Sequence, residues 1–534
     1  MKNLDSQPIK NASTPVETPG ADLNLPYNPK TPLTFKRLAP HLKNHWPDYV
    51  VLSLLLGLGL VVAWLPVDWT RNLKRPAQAP NYAWMSLVYT LVYGGATWWL
   101  WRSKGTEERF RRKWLALALL VFLPNLFNIW LRYTSPLTAI DPRPLFGRDA
   151  DIGLFYGYGL DLTKGQWPLN QVGQFAEYPQ LSFPFFWLGV VLSGTNQETF
   201  YWAFPVLMTF CQFGAAASLY GLGLKVGRAR AAFLLAAWIA GCPALLIFGY
   251  SRFDAAPAAL LLAGVYFAIP GDLRGEKGLA AVRHWRRWAG LSGFLLAIGA
   301  LVKWLPAVVW PWLAVGYWRS RNWLALRNFG LASLLGGLVF TLPLLLINTP
   351  AMLYPYQFQA SRRLIGESFW FLVQNAFFDP AHTTPEKPWG EPSKIVLGNN
   401  WLTLAQLGMT GLVFGLTLWR LWSVREARSA MTGWAASGLI GVAVFTLANR
   451  IFSPQYLVVL VWVWAAALVL RPVAWRGLLT AFGLMALAAG ANFEVYLLGV
   501  YPEIWTRDSV VMFAAAFGLS GWLLWRVLFL PKNI

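Results

Sequence analysis

Acidic residues are scarce in this chain of 534 residues, with 24 Asp and Glu against 45 Lys and Arg and a formal net charge of +21. Charged residues of both signs make up only 13% of it, about half the share of an ordinary soluble domain, whose surface must be hydrated. Such a chain cannot face water on all sides. Cysteine is nearly absent: Cys211 and Cys242 stand alone, each inside an apolar run. That argues against a disulfide framework or a thiolate metal site and leaves both as small core residues. The four histidines form no site, since His41 and His45 sit in a polar leader, His284 in a basic segment and His382 by itself. No His-Glu-x-x-His pair, Walker A loop or Gly-rich nucleotide fingerprint occurs, which disfavours metalloprotease and ATP-driven chemistry.

What the chain has in abundance is apolar surface. Hydrophobic residues reach 56%, with 32 Trp and 19 Tyr, and mean hydropathy is +0.43. Amphipathic rings in such numbers suit the boundary between headgroups and hydrocarbon. Runs long enough to cross a hydrocarbon core of roughly 30 Å recur about fourteen times. They fall near 49–66, 82–101, 113–131, 199–222, 231–249, 255–270, 288–303, 304–318, 326–347, 401–422, 430–447, 454–471, 477–498 and 509–528. The expected fold is therefore an all-α polytopic membrane bundle of about fourteen helices. Residues 1–47, polar and rich in Pro and Asn, read as a disordered cytoplasmic tail with no cleavable signal.

The location of the positive charge gives an orientation. Lys and Arg gather between apolar runs, as in Arg102 to Lys113, Lys225 to Arg230, Arg274 to Arg287, Arg319 to Arg327, Arg420 to Arg428 and Arg471 to Arg476. With both termini inside, every one of these segments is cytoplasmic, and the turn holding Glu494, Glu503 and Asp508 lies outside. This is a membrane pattern and not a nucleic-acid one. It holds on one condition: the apolar run 181–195, which contains Pro184, must lie at the interface or dip in and out, because a full crossing there would turn every later basic segment outward. Two long outer segments result, about 132–198 and 348–400. Both are too rich in aromatics to be disordered, and connections of more than about 15 residues are usually functional.

These segments and the adjoining span ends carry the residues that chemistry needs. Arg148-Asp149-Ala150-Asp151 presents two carboxylates, which can ligate a hard divalent cation such as Mg2+ or Mn2+, or divide the roles of general base and partner. The bland alternative is a helix N-cap or a pair of solvated charges. Tyr250-Ser251-Arg252-Phe253-Asp254 places an Arg and an Asp at a span boundary, where they must pair or face a wet cavity. Lys303, in Lys303-Trp304-Leu305-Pro306, has no carboxylate near it in sequence. A phosphate would be a natural counter-ion for it, a turn at the surface the simpler reading. In Asn449-Arg450-Ile451-Phe452-Ser453-Pro454-Gln455-Tyr456, Ser453 and Pro454 read as the start of a helix, with Arg450 set to meet an anion at its positive end. Arg362-Arg363 and Gly366-Glu367-Ser368-Phe369-Trp370 add two cations and a ring on which a sugar could stack.

Taken in order, these motifs resemble the GT-C superfamily of membrane glycosyltransferases, and within it glycosyltransferase family 87, whose members use polyprenyl-phosphate mannose. The resemblance runs through Asp151, Tyr156, Gly165, Pro168 and Glu177-Tyr178-Pro179, then Asp254, Lys303 to Pro306, and Ser453 to Tyr456. Gln180 replaces a second Pro, and two extra spans precede the family's first helix. The likeness covers about 113–471, which makes 48–112 two additional spans and 472–534 the closing ones. It implies transfer of a hexose from a polyprenyl-phosphate donor to a lipid, glycan or protein acceptor on the extracytoplasmic side, with inversion. Asp151 would be the general base and Asp149 its partner or a metal ligand. Lys303, Arg450 and Arg252 would hold the donor phosphate. Tyr156, Glu177, Tyr178, Asp254, Glu367, Trp370, Ser453, Gln455 and Tyr456 would line the substrate site. A lipid or polysaccharide transporter is the rival reading, and it predicts repeated broken helices. No clear repeat of the motifs is visible.

Overall fold

Apolar segments in lipid must pair their peptide groups internally, and the helix does this within a single run. The computed structural model is accordingly all-α. It describes residues 88–93, 110–111, 113–134, 150–168, 175–242, 245–246, 248–249, 252–271, 279–365, 368–377, 397–422, 427–453, 455–471, 473–498 and 502–529. The expected tail, the span at 49–66 and most of that at 82–101, together with Asp149 and Glu367, lie outside the described residues.

Helix α1 (Trp114–Thr134) leads to α2 (Ala150–Thr163), a 3-10 turn (Gln180–Ser182), α3 (Phe183–Leu192), α4 (Gln197–Val226), α5 (Ala229–Gly241), α6 (Ala255–Ala268) and α7 (Leu279–Val302). A 3-10 turn (Leu305–Val309) then feeds α8 (Trp310–Arg319), α9 (Trp323–Ile347), α10 (Thr349–Ser361), α11 (Phe369–Phe377), α12 (Asn399–Leu421), α13 (Ala427–Leu447), α14 (Tyr456–Leu470), α15 (Trp475–Leu498) and α16 (Pro502–Phe529). The two outer segments are ordered where described, the first holding α2 and α3, the second α10 and α11.

At the centre stands α14, buried along its whole length from Leu457 to Leu470 and packed against α4, α5, α6 and α13. A helix apolar on every side belongs in such a place. At the rim, α9 shows the reverse. Leu331, Leu335, Leu338, Leu342 and Leu346 form an exposed apolar stripe at helical spacing, a face that water would not tolerate and lipid does.

Five helices among the described residues are long and apolar enough to span a membrane, and five further apolar helices are shorter. Two local features shorten or dilute the apolar helices among the described residues. Helix α6 begins only after the buried Asp254, so that its 14 residues rise only about 21 Å. In α7, Arg286 and Arg287 lie within the helix and dilute its apolar character. The run 181–195 folds as the 3-10 turn and the 10-residue α3, about 15 Å long and half of what a crossing needs.

The bundle has two distinct ends. At one, basic side chains cap neighbouring helices at their negative C-termini. Lys225 donates to the carbonyls of Tyr266 and Ile269 at 2.7 and 2.9 Å, and Arg228 to that of Val469 at 2.6 Å. Arg319 donates to Trp422 and Arg420 to Leu528. Because α6 and α14 finish here, their first residues, Ala255 and Tyr456, stand at the opposite end. That is where the candidate residues collect.

Candidate functional site

Asp151 occupies the first turn of α2, where a carboxylate complements the helix dipole. The helix is held by a cluster of rings. Phe155 stacks on Phe186 at 4.4 Å with the planes 4° apart, and Tyr178 meets Phe253 edge-on at 5.1 Å. Close approach of α2 to α3 is possible because Gly159 faces the backbone of Phe186, where a Cβ would lie 2.5 Å from the carbonyl oxygen. The aromatic cluster thereby fixes the Asp151 backbone beside the turn that precedes α6. From that turn the buried Arg252 forms an ion pair with Asp151.

Two residues on, Asp254 is fully buried and accepts from Lys303 Nζ at 2.5 Å. The carboxylate that Lys303 lacks in its own sequence neighbourhood is supplied across the fold. Lys303 also lies 4.3 Å from the Tyr456 ring centre and 5.2 Å from that of Phe253, so aromatic faces cradle the remainder of its charge.

These groups open onto one cavity of about 1030 Å3. Asp151, Glu177, Tyr178, Arg252, Lys303, Arg450, Ser453, Gln455 and Tyr456 all line it. The four separate constellations of the sequence thus meet. The charged groups on the wall are Asp151 and Glu177 against Arg252, Lys303, Arg362 and Arg450, a surplus of positive charge. Burial raises the Glu177 carboxyl above its ordinary range. Arg362 pulls it back, and Asp151 adds to the rise.

Other candidate residues lie elsewhere or make different contacts. Asp254 stands behind Lys303 as its counter-ion and not on the cavity wall. Tyr156 points away, its hydroxyl donating to the Thr195 carbonyl at 2.7 Å. Trp370 donates from Nε1 to the Ala448 carbonyl at 2.6 Å and braces the end of α13. Neither lines the cavity. Ser453 caps nothing with its side chain. Its carbonyl accepts from Tyr456 N at 2.9 Å, and α14 starts without a side-chain cap. Arg450 lines the same cavity as Tyr456, the first residue of α14. It reaches the negative end of α10, donating to the carbonyls of Gln359, Ala360 and Arg362 and to Thr403 Oγ1.

Other wall residues were not singled out from sequence. Trp304 stacks on Tyr356 at 5.3 Å, and the Tyr356 hydroxyl donates to Gln180 Oε1 at 3.3 Å while Gln180 Nε2 donates to Thr341 at 2.8 Å. That chain of contacts ties the 177–180 loop to α9 and α10. Leu404 and Leu407 of α12 form an apolar flank and are also more than half exposed. The signal for them was present in α12 as an apolar stripe, but a stripe is equally what any lipid-facing helix shows.

A divalent cation at the Asp pair needs about six oxygen ligands. Asp151 is held by Arg252 and Asp254 by Lys303, and no three His, Cys, Asp or Glu side chains gather among the described residues. Asp149, the other half of the expected pair, lies outside the described residues, and no step below is routed through a cation.

Helices and cavity together define an integral membrane protein of the all-α class with a cation-rich chamber at one end of its bundle. No family model matches the chain and no curated protein matches it. Among solved structures it is similar to ArnT from Cupriavidus metallidurans bound to undecaprenyl phosphate, at 17% identity and a TM-score of 0.36, over 70% of this chain and 73% of that one. The apo state of the same protein gives 16% identity and a TM-score of 0.37, over 71% and 72%. Overlap of that size leaves the function of this chain to be argued from its own residues.

Proposed function

We propose that this chain is a GT-C-type membrane glycosyltransferase that moves a mannose-like hexose from a polyprenyl phosphate to a hydroxyl of a lipid, glycan or protein acceptor on the extracytoplasmic side. One observation carries the reading. Asp151, Glu177, Tyr178, Lys303, Ser453, Gln455 and Tyr456, all within the motifs of the resemblance, line one cavity that sets two carboxylates among four cations.

The chemistry follows from that juxtaposition. Asp151 accepts the acceptor's hydroxyl proton while the hydroxyl oxygen attacks the anomeric carbon from the face opposite the phosphate. The carbon–oxygen bond to the phosphate breaks, and its electron pair leaves with the polyprenyl phosphate. A positioned base contributes about 10²- to 10⁴-fold. The developing phosphate charge is met by cations fixed before the reaction begins, the kind of preorganised field that contributes several kcal/mol. Arg252 holds Asp151 in the resting site and lines the same cavity.

Asp151→Asn in proteoliposomes, assayed for transfer from mannosyl-phosphoryl-polyprenol to a panel of hydroxyl acceptors, should lose at least about 100-fold in rate. Undiminished transfer would refute the base assignment. No transfer by the native protein from any such donor would favour lipid translocation instead.

A further inference from the structure

Four cations line the cavity, and three of them are already engaged. Arg252 is paired with Asp151, and Lys303 with Asp254. Arg450 is committed more deeply still. A guanidinium carries five N–H donors. Nε of Arg450 donates to the Arg362 carbonyl at 3.0 Å, and Nη2 to the carbonyls of Ala360 at 2.9 Å and Gln359 at 3.3 Å. Nη1 donates to Thr403 Oγ1. Four of its donors are spent on the C-terminal end of α10 and on α12.

Arg362 is placed differently. Its backbone is fixed: the carbonyl accepts from Arg450 and, at 3.3 Å, from Asn399 Nδ2, while Ile365 N donates to the Arg450 carbonyl at 3.2 Å. Its side chain is half-exposed and lines the cavity. The guanidinium carbon lies 5.7 Å from the Phe358 ring centre, and its charge favours the ionised form of Glu177. No ion pair ties it down at hydrogen-bonding distance among the described residues.

We infer that Arg362 is the side chain that receives the phosphate of the lipid, a diester in the sugar donor and a monoester in the polyprenyl phosphate that leaves, and that Arg450 is its positioning residue. The inference rests on the phosphate-lipid reading above and reassigns the cation in it. A planar fork on a rigid backbone can take two phosphate oxygens at once, and little of its freedom is left to lose on binding. Arg450 contributes through the carbonyls it holds. The apolar flank of Leu404 and Leu407 favours a lipid-linked phosphate over the free ion.

The test is binding of farnesyl phosphate and, separately, inorganic phosphate to the full chain in detergent micelles, with thermal unfolding measured on the same samples. Arg362→Ala should weaken farnesyl phosphate binding by at least about tenfold, near 1.4 kcal/mol, at an unchanged thermal midpoint, and Arg362→Lys should recover only part of it. Arg450→Lys should weaken binding with a lowered midpoint, and the double variant Arg362→Ala with Arg450→Lys should bind no worse than Arg362→Ala alone. Binding by Arg362→Ala within about twofold of the native protein would overturn the inference. So would a double variant whose losses multiply, because Arg450 would then touch the ligand itself. Inorganic phosphate bound as tightly as farnesyl phosphate would overturn the lipid-linked source. Failure of the native protein to bind either would bring down both this inference and the transferase reading, whereas binding insensitive to Arg362 sinks the inference alone.

Discussion

The ammonium of Lys303 lies 2.5 Å from Oδ1 of Asp254, a carboxylate with none of its surface exposed. Asp254 cannot reach the cavity, whereas Lys303 lines it. The pair therefore has one member for the fold and one for the chamber. A buried charge that loses its partner is far costlier than a pair removed whole, by about 3–5 kcal/mol.

Lys303→Met should accordingly destabilise the protein by about 3–5 kcal/mol, and adding Asp254→Asn should restore most of that loss, since the unpaired carboxylate is then gone. Transfer activity should stay lost in both variants, because the cation facing the cavity is missing from both. Thermal unfolding in detergent and a transfer assay read the two effects separately. Rescue of activity along with stability would show that Lys303 serves only the fold.

Glu177 predicts a pH dependence of stability. Its carboxyl titrates above the ordinary value of 4.5 because burial in the cavity wall disfavours the charge, with Arg362 pulling the other way and Asp151 adding to the rise. Between the unfolded and folded values the folded state holds a proton that the unfolded chain has released. Stability must then fall as pH rises through that window and level off above the folded value. Glu177→Gln cannot ionise, so its thermal midpoint relative to the native protein should climb from pH 4 to pH 8. A constant difference across that range would show that the carboxyl is not shifted.

Much of the site was legible because charge inside an apolar chain is rare and therefore visible. Asp151, Arg252, Lys303 and Arg450 could each be singled out from sequence on that ground alone, and the cavity unites them. Their partners were not legible. Asp254 comes to Lys303 from 49 residues away, and the carbonyls that occupy Arg450 come from about 90 residues upstream, distances over which only the packed fold sets the register. Tyr156 and Trp370 were chosen by residue type, and in a chain with 16% aromatic residues type alone does not separate a sugar platform from a brace. Where a helix stops within an apolar run was not legible either, because hydropathy registers the run and not the place within it where the chain turns.

Two glycines of α2 offer a paired test of how Asp151 is positioned. A Cβ on Gly159 would lie 2.5 Å from the Phe186 carbonyl oxygen and 2.6 Å from Val190 Cγ2, whereas one on Gly157 meets nothing within 4 Å. Gly159→Ala should force α2 away from α3, costing about 1–3 kcal/mol, and should lower transfer with it. Gly157→Ala should be neutral or stabilising by up to about 1 kcal/mol, through helix propensity. Equal behaviour of the two variants would mean that contact with α3 does not set the position of α2.

The chamber and the basic side chains must lie on opposite sides of the membrane. Basic side chains gather at one end of the bundle and the cavity at the other, and positively charged short loops are retained in the cytoplasm. If that rule governs this chain, the cavity opens on the extracytoplasmic side. Glu198, exposed in the first turn of α4, marks the cavity end, and Arg476, exposed at the start of α15, marks the basic end. With Cys211→Ala and Cys242→Ala as background, Glu198→Cys should react with a membrane-impermeant maleimide on intact cells. Arg476→Cys should react only after permeabilisation. The opposite pattern would place the cavity in the cytoplasm, where an acceptor exposed on the cell surface could not reach Asp151, and the proposed reaction would need an acceptor from inside.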